Sequence, residues 1–360
     1  MQAGRVVLEI LSTRRTPRSS EGAFVALGDG TVLFAYSKFT GRGRDDSSAV
    51  IAARLSRDAG ATWTRRDRVL VAGEGRQNVM SVSFLRLHDG RIALFYLVKN
   101  GLHDCRLRVR FSEDEAKTWT PPTRVIPAPG YFVTNNDRVV QLSTGRLIVP
   151  ASFHRRRAES TTDWKAYDSR GVAMYFLSDD CGRTWREAKT WWAMPAVSAS
   201  GLQEPGVVEL ADGRLLSWCR TDLGCQYGMY STDGGEGWSL PAPTPFRSPC
   251  SPLSMKRIPR TGHLLAVWND HSGRFGLQKD PKGRTVRIPL VSAVSRDEAN
   301  TWASLRPIEI DPEGRFCYTA IHFPDDEHVL LAYSVGGRKF KSRAWGALRI
   351  RRVRTDWLDA

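Results

Sequence analysis

The residues best suited to chemistry lie at the ends of one predicted β-hairpin. Glu204 stands at the start of an apolar segment, and Arg220 ends the apolar segment that follows it. Asp212-Gly213 between them is typical of a tight hairpin turn, so we expect both side chains near the same end of a sheet. A carboxylate beside a guanidinium can place a proton acceptor next to an anion-binding group. A surface salt bridge is the alternative interpretation of this pair.

A repeated eight-residue pattern predicts the elements that must position these residues. Ser-x-Asp-x-Gly-x-Thr-Trp occurs at 56–63 and 178–185, with looser copies at 112–119, 231–238 and 295–302. Ser and Asp can bond nearby backbone N–H groups, and Gly tolerates the positive φ that a tight turn needs. The Trp then supplies a large apolar anchor. We therefore expect five structural turns that pin hairpins, and no catalytic role for them.

A second repeat places an Asp-Gly or Thr-Gly turn before an apolar strand. The copies begin at Asp29, Asp89, Thr144, Asp212 and Thr261, with a degenerate sixth copy at Asp326. Successive copies lie roughly 50–70 residues apart, which is enough for four short strands. These repeats predict an all-β, six-bladed β-propeller that forms one domain over residues 1–360. The Ser-x-Asp turns are its Asp-box repeats. We expect the segment 345–353 to close the ring beside 6–10, because closure protects sheet edges.

Composition limits the classes of protein to which the chain can belong. No run of apolar residues approaches the ~18 that a transmembrane helix needs. The apolar patch at 6–11 is too short for the core of a signal peptide, so the chain as given predicts a cytoplasmic protein unless a leader sequence has been removed. The six cysteines show no Cys-x-x-Cys pair and no histidines have metal-ligand spacing, so we expect neither a disulfide framework nor a catalytic metal or other cofactor.

The net charge is +15, and two interpretations of it compete. A negatively charged partner, nucleic acid included, is one. The other is a solvated surface rich in arginine, which the scattered placement of the basic residues favours. We expect no nucleic-acid or membrane partner, and the sequence gives no indication of oligomeric state.

The Asp boxes together with the segment around Glu204 resemble the sialidase (neuraminidase) superfamily over nearly the whole chain. The resemblance implies a retaining exo-glycoside hydrolase that removes a terminal sialic acid or related acidic sugar from a glycoconjugate. In that family a Tyr nucleophile is activated by a Glu, an Asp acts as acid and base, and three Arg bind the substrate carboxylate.

The resemblance assigns roles to particular residues of this chain. Tyr318 matches the nucleophile and Glu204 its base, while Arg220 and Arg287 match the second and third arginines. Asp46 matches the acid/base, and the adjacent Asp45 is its rival. Sialidases with a Tyr nucleophile depart from the usual two-carboxylate mechanism because the substrate already carries a negative group.

The resemblance fails at the first of the three arginines that bind the substrate carboxylate in the family. Ser20 or Glu21 stands near the expected position, and Arg15 and Arg18 lie close by but outside the motif. Glu21 in place of an anion-binding Arg is expected to weaken carboxylate binding or to select a different sugar.

Further polar residues are expected to complete a sugar-binding pocket at strand ends: Arg76, Asn78, Asn136, Asp137 and His154, with Glu21 also counted as substrate-binding. Glu21, His103 and His154 motivate a second hypothesis, a uronate-directed lyase or a rhamnosidase. A non-catalytic propeller that binds glycans or proteins is the third.

Overall fold

The computed structural model describes residues 3–276, 286–337, 340 and 342–359. These residues form an all-β structure with one 3-10 turn at Trp164–Ala166 and one terminal helix, α1 (Thr355–Asp359). The strands are β1 (Arg5–Ile10), β2 (Arg18–Ala26), β3 (Val32–Phe39), β4 (Ala49–Ser56), β5 (Arg68–Val71), β6 (Asn78–Arg86), β7 (Ile92–Gly101), β8 (Asp104–Ser112), β9 (Thr123–Arg124), β10 (Gly130–Val133), β11 (Val140–Gln141), β12 (Leu147–Arg156), β13 (Tyr167–Ser178), β14 (Arg186–Glu187), β15 (Gln203–Glu209), β16 (Leu215–Arg220), β17 (Cys225–Ser231), β18 (Ala242–Arg247), β19 (Ser254–Arg257), β20 (Leu264–Asn269), β21 (Leu290–Ser295), β22 (Ala303–Glu309), β23 (Gly314–His322), β24 (His328–Gly337) and β25 (Ser342–Arg354). Within these described ranges no helix has the length and apolar character needed to cross a bilayer.

The all-β propeller is confirmed, but the predicted count of six blades is wrong. The described strands form four separate four-stranded blades, in the orders β2-β3-β4-β5, β15-β16-β17-β18, β19-β20-β21-β22 and β1-β25-β24-β23. The strands from β6 to β14 instead form one continuous nine-stranded sheet. The physical reason is that β10 pairs in parallel with β8, at Gly130↔Asp104 and Tyr131↔Cys105, and so joins segments that the repeats treat as separate.

The ring closes through pairing of the two ends of the chain. Strand β1 runs antiparallel to β25, with Arg5 opposite Arg352 and Ile10 opposite Leu348, as the sequence predicts. Strand β2 contacts β6 on one side and β23 on the other, and β19 contacts both β15 and β23. Buried apolar side chains fill the space between neighbouring sheets, for example Phe24 and Tyr36 against Leu330 and Ile350.

The Ser-x-Asp turns have the hydrogen bonds that their sequence predicts. In the first turn the Ser56 hydroxyl donates to Asp58 at 2.8 Å, and the Gly60 N–H donates to Ser56 Oγ at 2.9 Å. Thr62 donates to Asp58 from both its backbone and its hydroxyl, and Trp63 Nε1 donates back to the Gly60 carbonyl. The other four turns repeat the Ser-to-Asp bond and the backbone bond to the Ser hydroxyl. Their role is therefore to fix hairpins.

One irregularity recurs at the same place in four axis-facing strands and positions the functional side chains. The pairing register of β2, β6, β15 and β23 shifts by a bulge, and the first bulged residue has a left-handed backbone. These residues are Glu21 (φ 51), Ser81 (φ 56), Glu204 (φ 46) and Tyr318 (φ 59). Bulges re-aim side chains, and left-handed non-glycine residues cluster at functional sites. All four residues line the same central cavity.

A short segment, Asn135–Arg138, lies on the axis between β10 and β11 and ties the ring together. Asn136 Nδ2 donates to the carbonyls of Gly22 in β2 and Tyr318 in β23. The Asp137 N–H donates to the Val82 carbonyl in β6. The buried Arg138 guanidinium donates to the carbonyl of Leu253, directly before β19. This axial segment therefore bonds to elements from four different parts of the ring.

Candidate functional site

The axial cavity has a volume of about 220 Å³. That volume lies below the ~300–1,000 Å³ typical of pockets for drug-sized ligands, so the cavity suits one small ligand such as a single sugar. Charged, amide and aromatic side chains surround a few apolar ones. The lining residues are Arg18, Glu21, Asp45, Met80, Ser81, Leu97, Lys99, Cys105, Tyr131, Val133, Asn135, His154, Trp164, Tyr167, Gln203, Glu204, Arg220 and Tyr318.

Tyr318, Glu204 and Arg220 come together although β15, β16 and β23 are far apart along the chain. Arg220 Nη1 lies 3.5 Å from Tyr318 Oη and 3.2 Å from Glu204 Oε2. Gln203 Oε1 holds the rest of the guanidinium through bonds of 2.9 Å and 2.6 Å from Nε and Nη2. The phenol and the carboxylate therefore meet at one arginine nitrogen.

The pKa of the Tyr318 phenol is raised, chiefly because burial disfavours the phenolate. The neighbouring Glu204 carboxylate raises it further, whereas Arg287 and Arg220 lower it. A phenol in this setting stays protonated at neutral pH and needs a base to become a nucleophile. The Glu204 carboxylate lies on the same arginine nitrogen as this phenol.

Arg287 lies beside the same phenol. Its guanidinium carbon is 5.4 Å from the centre of the Tyr318 ring, and its Nη2 donates to the Cys250 carbonyl at 3.0 Å. Its Nη1 contacts Cys317 Sγ at 3.2 Å. Arg220 and Arg287 thus both lie beside Tyr318, but of the two only Arg220 is among the residues that line the cavity.

Arg18 also enters the cavity, but two carboxylates already hold it. Its Nη2 donates to Glu21 Oε2 at 2.7 Å and its Nη1 to Asp45 Oδ1 at 2.5 Å, while its Nε donates to the Ser20 hydroxyl. The arginine is 8% exposed. A substrate carboxylate placed here would face two like charges, so Arg18 does not offer the positive charge that the missing family arginine would.

Asp45 and Asp46 occupy different environments. Asp45 lines the cavity although its side chain is 54% exposed; desolvation in the cavity would raise its pKa, but the charges of Arg18 and Lys99 hold the pKa at about 2. Asp46 lies outside the lining, where it accepts from Trp164 Nε1 at 3.2 Å and pairs with Arg44 at 3.5 Å. Of the two adjacent carboxylates, only Asp45, the rival residue, lines the cavity that Tyr318 also lines.

Of the remaining predicted binding residues, His154 lines the cavity and Asn78 bonds to a loop beside it. His154 lines the cavity, with Nδ1 3.0 Å from the Asp168 carbonyl and Nε2 3.2 Å from the Ser152 hydroxyl. Burial lowers the pKa of His154 to about 4, so the ring is neutral near pH 7. Asn78 is buried outside the lining and donates to the carbonyls of Asp45 and Ser47, which fixes the loop that carries Asp45.

Three further predicted residues lie outside the cavity lining. Arg76 is exposed and bonds through its backbone N–H to Asn100. Asn136 and Asp137 belong to the axial segment, where their side chains bond to other strands. Their neighbour Asn135 does line the cavity and donates to Glu204 Oε2 at 3.2 Å.

Sequence reasoning missed one wall of the cavity, formed by Lys99, Tyr131, Trp164 and Tyr167. The ring of Tyr167 stacks on His154 at 4.9 Å and meets Tyr131 edge-on at 5.3 Å. Lys99 is the only charged side chain in the run Ile92–Lys99, and a lysine is rarely buried without a partner. A single lysine in this apolar run could therefore have indicated from the sequence that Lys99 belongs to the site.

No metal-binding cluster of three or more His, Cys, Asp or Glu side chains is found within the described part of the chain.

Comparison with known proteins identifies the family. A family model described as a BNR repeat-like domain matches residues 30–329. The chain belongs to this BNR repeat-like family. The anhydrosialidase of the leech Macrobdella decora is 29% identical over 142 residues, which cover 37% of this chain. The match spans only 16% of the leech protein's own length.

Solved structures share the fold of this BNR propeller. A protein of unknown function from Dyadobacter fermentans has a TM-score of 0.74 at 16% identity, covering 98% of this chain and all of that one. The NanB sialidase of Streptococcus pneumoniae gives 0.72 at 14% identity, over 99% of this chain and 71% of its own. A leech intramolecular trans-sialidase, complexed with 2,7-anhydro-Neu5Ac, gives 0.71 at 15%, with the same coverage. The chain is therefore a BNR propeller of the sialidase superfamily, as its repeats predict.

Proposed function

We propose that this BNR propeller is a retaining exo-glycoside hydrolase that cleaves a terminal sialic acid or a related acidic sugar. The observation that carries the proposal is the meeting of Tyr318, Glu204 and Arg220 at one nitrogen atom inside a small cavity. The cavity volume of about 220 Å³ suits a single sugar, which favours action at a chain end. Named sialidases among the structural neighbours add support at the level of the family.

In the first half of the reaction Tyr318 Oη attacks the anomeric carbon, and the bond to the leaving-group oxygen breaks. Glu204 takes the phenol proton, and Arg220 and Arg287 hold the carboxylate of the sugar bidentately. A neutral phenol suffers less repulsion from that carboxylate than a carboxylate nucleophile would. In the second half a water molecule displaces Tyr318, and Glu204 returns its proton to the phenolate.

The acid/base role falls to Asp45 in this geometry, with Asp46 as the alternative. Because the pKa of Asp45 is about 2 while Arg18 holds it, the carboxyl carries no proton at neutral pH. It can still accept the proton of the attacking water. Leaving groups that depart without protonation, such as phenols, should therefore be cleaved much faster than alkyl alcohols.

The proposal is tested by hydrolysis of an aryl sialoside and a panel of aryl uronides. Wild type should turn over at least one of them, and Tyr318→Phe should lose at least about 10³-fold in kcat. Tyr230→Phe is the matched control, because Tyr230 is 39% exposed and outside the cavity. If Tyr318→Phe is as active as wild type on every substrate cleaved, the proposed nucleophile is wrong.

A non-catalytic glycan-binding propeller is the second candidate. It is favoured because Arg18 is already paired with Glu21 and Asp45 and does not offer the positive charge of the missing family arginine. It predicts saturable binding of an acidic monosaccharide in calorimetry with no hydrolysis by wild type. Hydrolysis that depends on Tyr318 would eliminate it.

A further inference from the structure

Lys99 is a buried cation inside the cavity that the proposed reaction does not use. Lys99 lies in β7, two residues before the strand ends at Gly101; it lines the cavity and is only 3% exposed. Nζ donates to the Asp45 carbonyl at 2.9 Å. It also lies 5.3 Å from the ring centre of Tyr131 and 5.9 Å from that of Trp164. Two aromatic faces and one carbonyl therefore fix its position.

The cavity lining holds three cations and three carboxylates, but the carboxylates do not pair with the cations one to one. Glu21 and Asp45 both pair with Arg18, and Glu204 pairs with Arg220. Across the residues that the structure describes, no side-chain carboxylate is bonded to Lys99 Nζ. The ammonium has three N–H donors, and although the charge of Asp45 acts on it without a hydrogen bond, a buried cation that is not hydrogen-bonded to an anion is costly. A bound anion would relieve that cost.

We propose that Lys99, with Tyr131 and Trp164, forms a second anion subsite that receives a carboxylate, sulfate or phosphate group of the ligand. The group in this subsite differs from the one between Arg220 and Arg287, so the preferred sugar carries two acidic substituents. The inference rests on the proposed function for the identity of the sugar, but the binding of an anion at Lys99 does not need catalysis.

Geometry supports an anion here over a neutral substituent. The aromatic rings restrain the long lysine side chain, so less entropy is lost when it binds. Trp164 Nε1 is itself held by Asp46 at 3.2 Å, which fixes one of those rings. The wall is thus organised around a positive point charge before the ligand arrives.

The test is a titration with inorganic sulfate, followed by tryptophan fluorescence at constant ionic strength with chloride as the replaced anion. The signal of Trp164 is isolated as the difference between each protein and its Trp164→Phe counterpart. Wild type should show saturable binding, and Lys99→Met should weaken it by about tenfold or more, since a hydrogen bond to a charged group is lost. Lys99→Arg keeps the charge and should retain most of the affinity, and circular dichroism checks that both variants fold.

Two more variants separate this inference from the proposed function. Arg287→Met should leave the Trp164 signal intact, because it removes only the other anion site. Tyr318→Phe should abolish hydrolysis but keep sulfate binding. The inference is overturned if Lys99→Met binds sulfate as wild type does, if Arg287→Met alone removes the signal, or if wild type shows no saturable change.

Discussion

Replacing Asn135 by Ala should impair Glu204 without unfolding the ring. Asn135 Nδ2 donates to Glu204 Oε2 at 3.2 Å, and the two residues are 2% and 8% exposed. A buried hydrogen bond to a charged group contributes about 1.5–3 kcal/mol. Since each 1.36 kcal/mol is a factor of ten in rate, kcat/KM should fall by roughly 10- to 150-fold if the bond aims the base at Tyr318.

The assay is the pH dependence of kcat/KM on an aryl glycoside that wild type cleaves, together with thermal unfolding. Removing the donor destabilises the Glu204 carboxylate, so the acidic limb of the profile should move to higher pH. Asn100→Ala is the matched control, because Asn100 makes the same kind of bond to Asp104 at 2.7 Å outside the cavity. A loss of activity in Asn135→Ala with an unchanged acidic limb, or an equal loss in Asn100→Ala, would refute the positioning role.

Three other predictions concern the charges of the cavity. Glu21→Gln removes one of the two carboxylates that hold Arg18, so KM for an acidic aryl glycoside should fall. The expected fall is roughly tenfold, for ~1.4 kcal/mol of relieved repulsion. An unchanged or higher KM in steady-state kinetics would contradict the repulsion between Glu21 and the substrate carboxylate. Asp45→Asn removes the group that accepts the proton of the attacking water, so hydrolysis of the intermediate should slow and an aryl glycoside should release a burst of phenol, whereas the same burst from Asp46→Asn alone would return the acid/base role to Asp46. Burial depresses the folded-state pKa of His154 to about 4 from the usual 6.5, so the unfolded state binds the proton more readily. Stability should thus fall as pH drops from about 6.5 towards 4, by at most about 3 kcal/mol. Denaturant titrations of wild type and His154→Gln would test this, and an equal pH dependence in both would contradict it.

The sequence predicts the propeller and its hairpin turns because their determinants are local. The Ser56–Trp63 turn carries its hydrogen-bonding partners within eight residues, so its role can be read directly. Closure between β1 and β25 is similarly indicated by apolar alternation at both ends of the chain.

The number of blades could not be predicted because it depends on a non-local pairing. The parallel contact of β8 with β10 involves two short stretches, and nothing in the repeats marks it.

The placement of the polar residues before β11 also could not be predicted from the sequence. Asn135 faces the cavity while its neighbours Asn136 and Asp137 bond to other strands, and this division follows from the bend of the axial segment.

Family resemblance predicts residue types at the site but not how charges are shared there. The departure at Ser20 and Glu21 is visible in the sequence, yet the capture of Arg18 by Glu21 and Asp45 requires their three-dimensional placement. Lys99 enters the site from β7, where the sequence shows only one charge in an apolar strand.

The identity of the nucleophile is tested most directly by trapping. Wild type would be treated with a fluorinated acidic glycosyl fluoride, whose intermediate forms faster than it hydrolyses, and analysed by intact-protein and peptide mass spectrometry. The account predicts one adduct, located on the peptide that contains Tyr318 and absent from Tyr318→Phe. An adduct on Glu204 or Glu21, or one that persists in Tyr318→Phe, would contradict it.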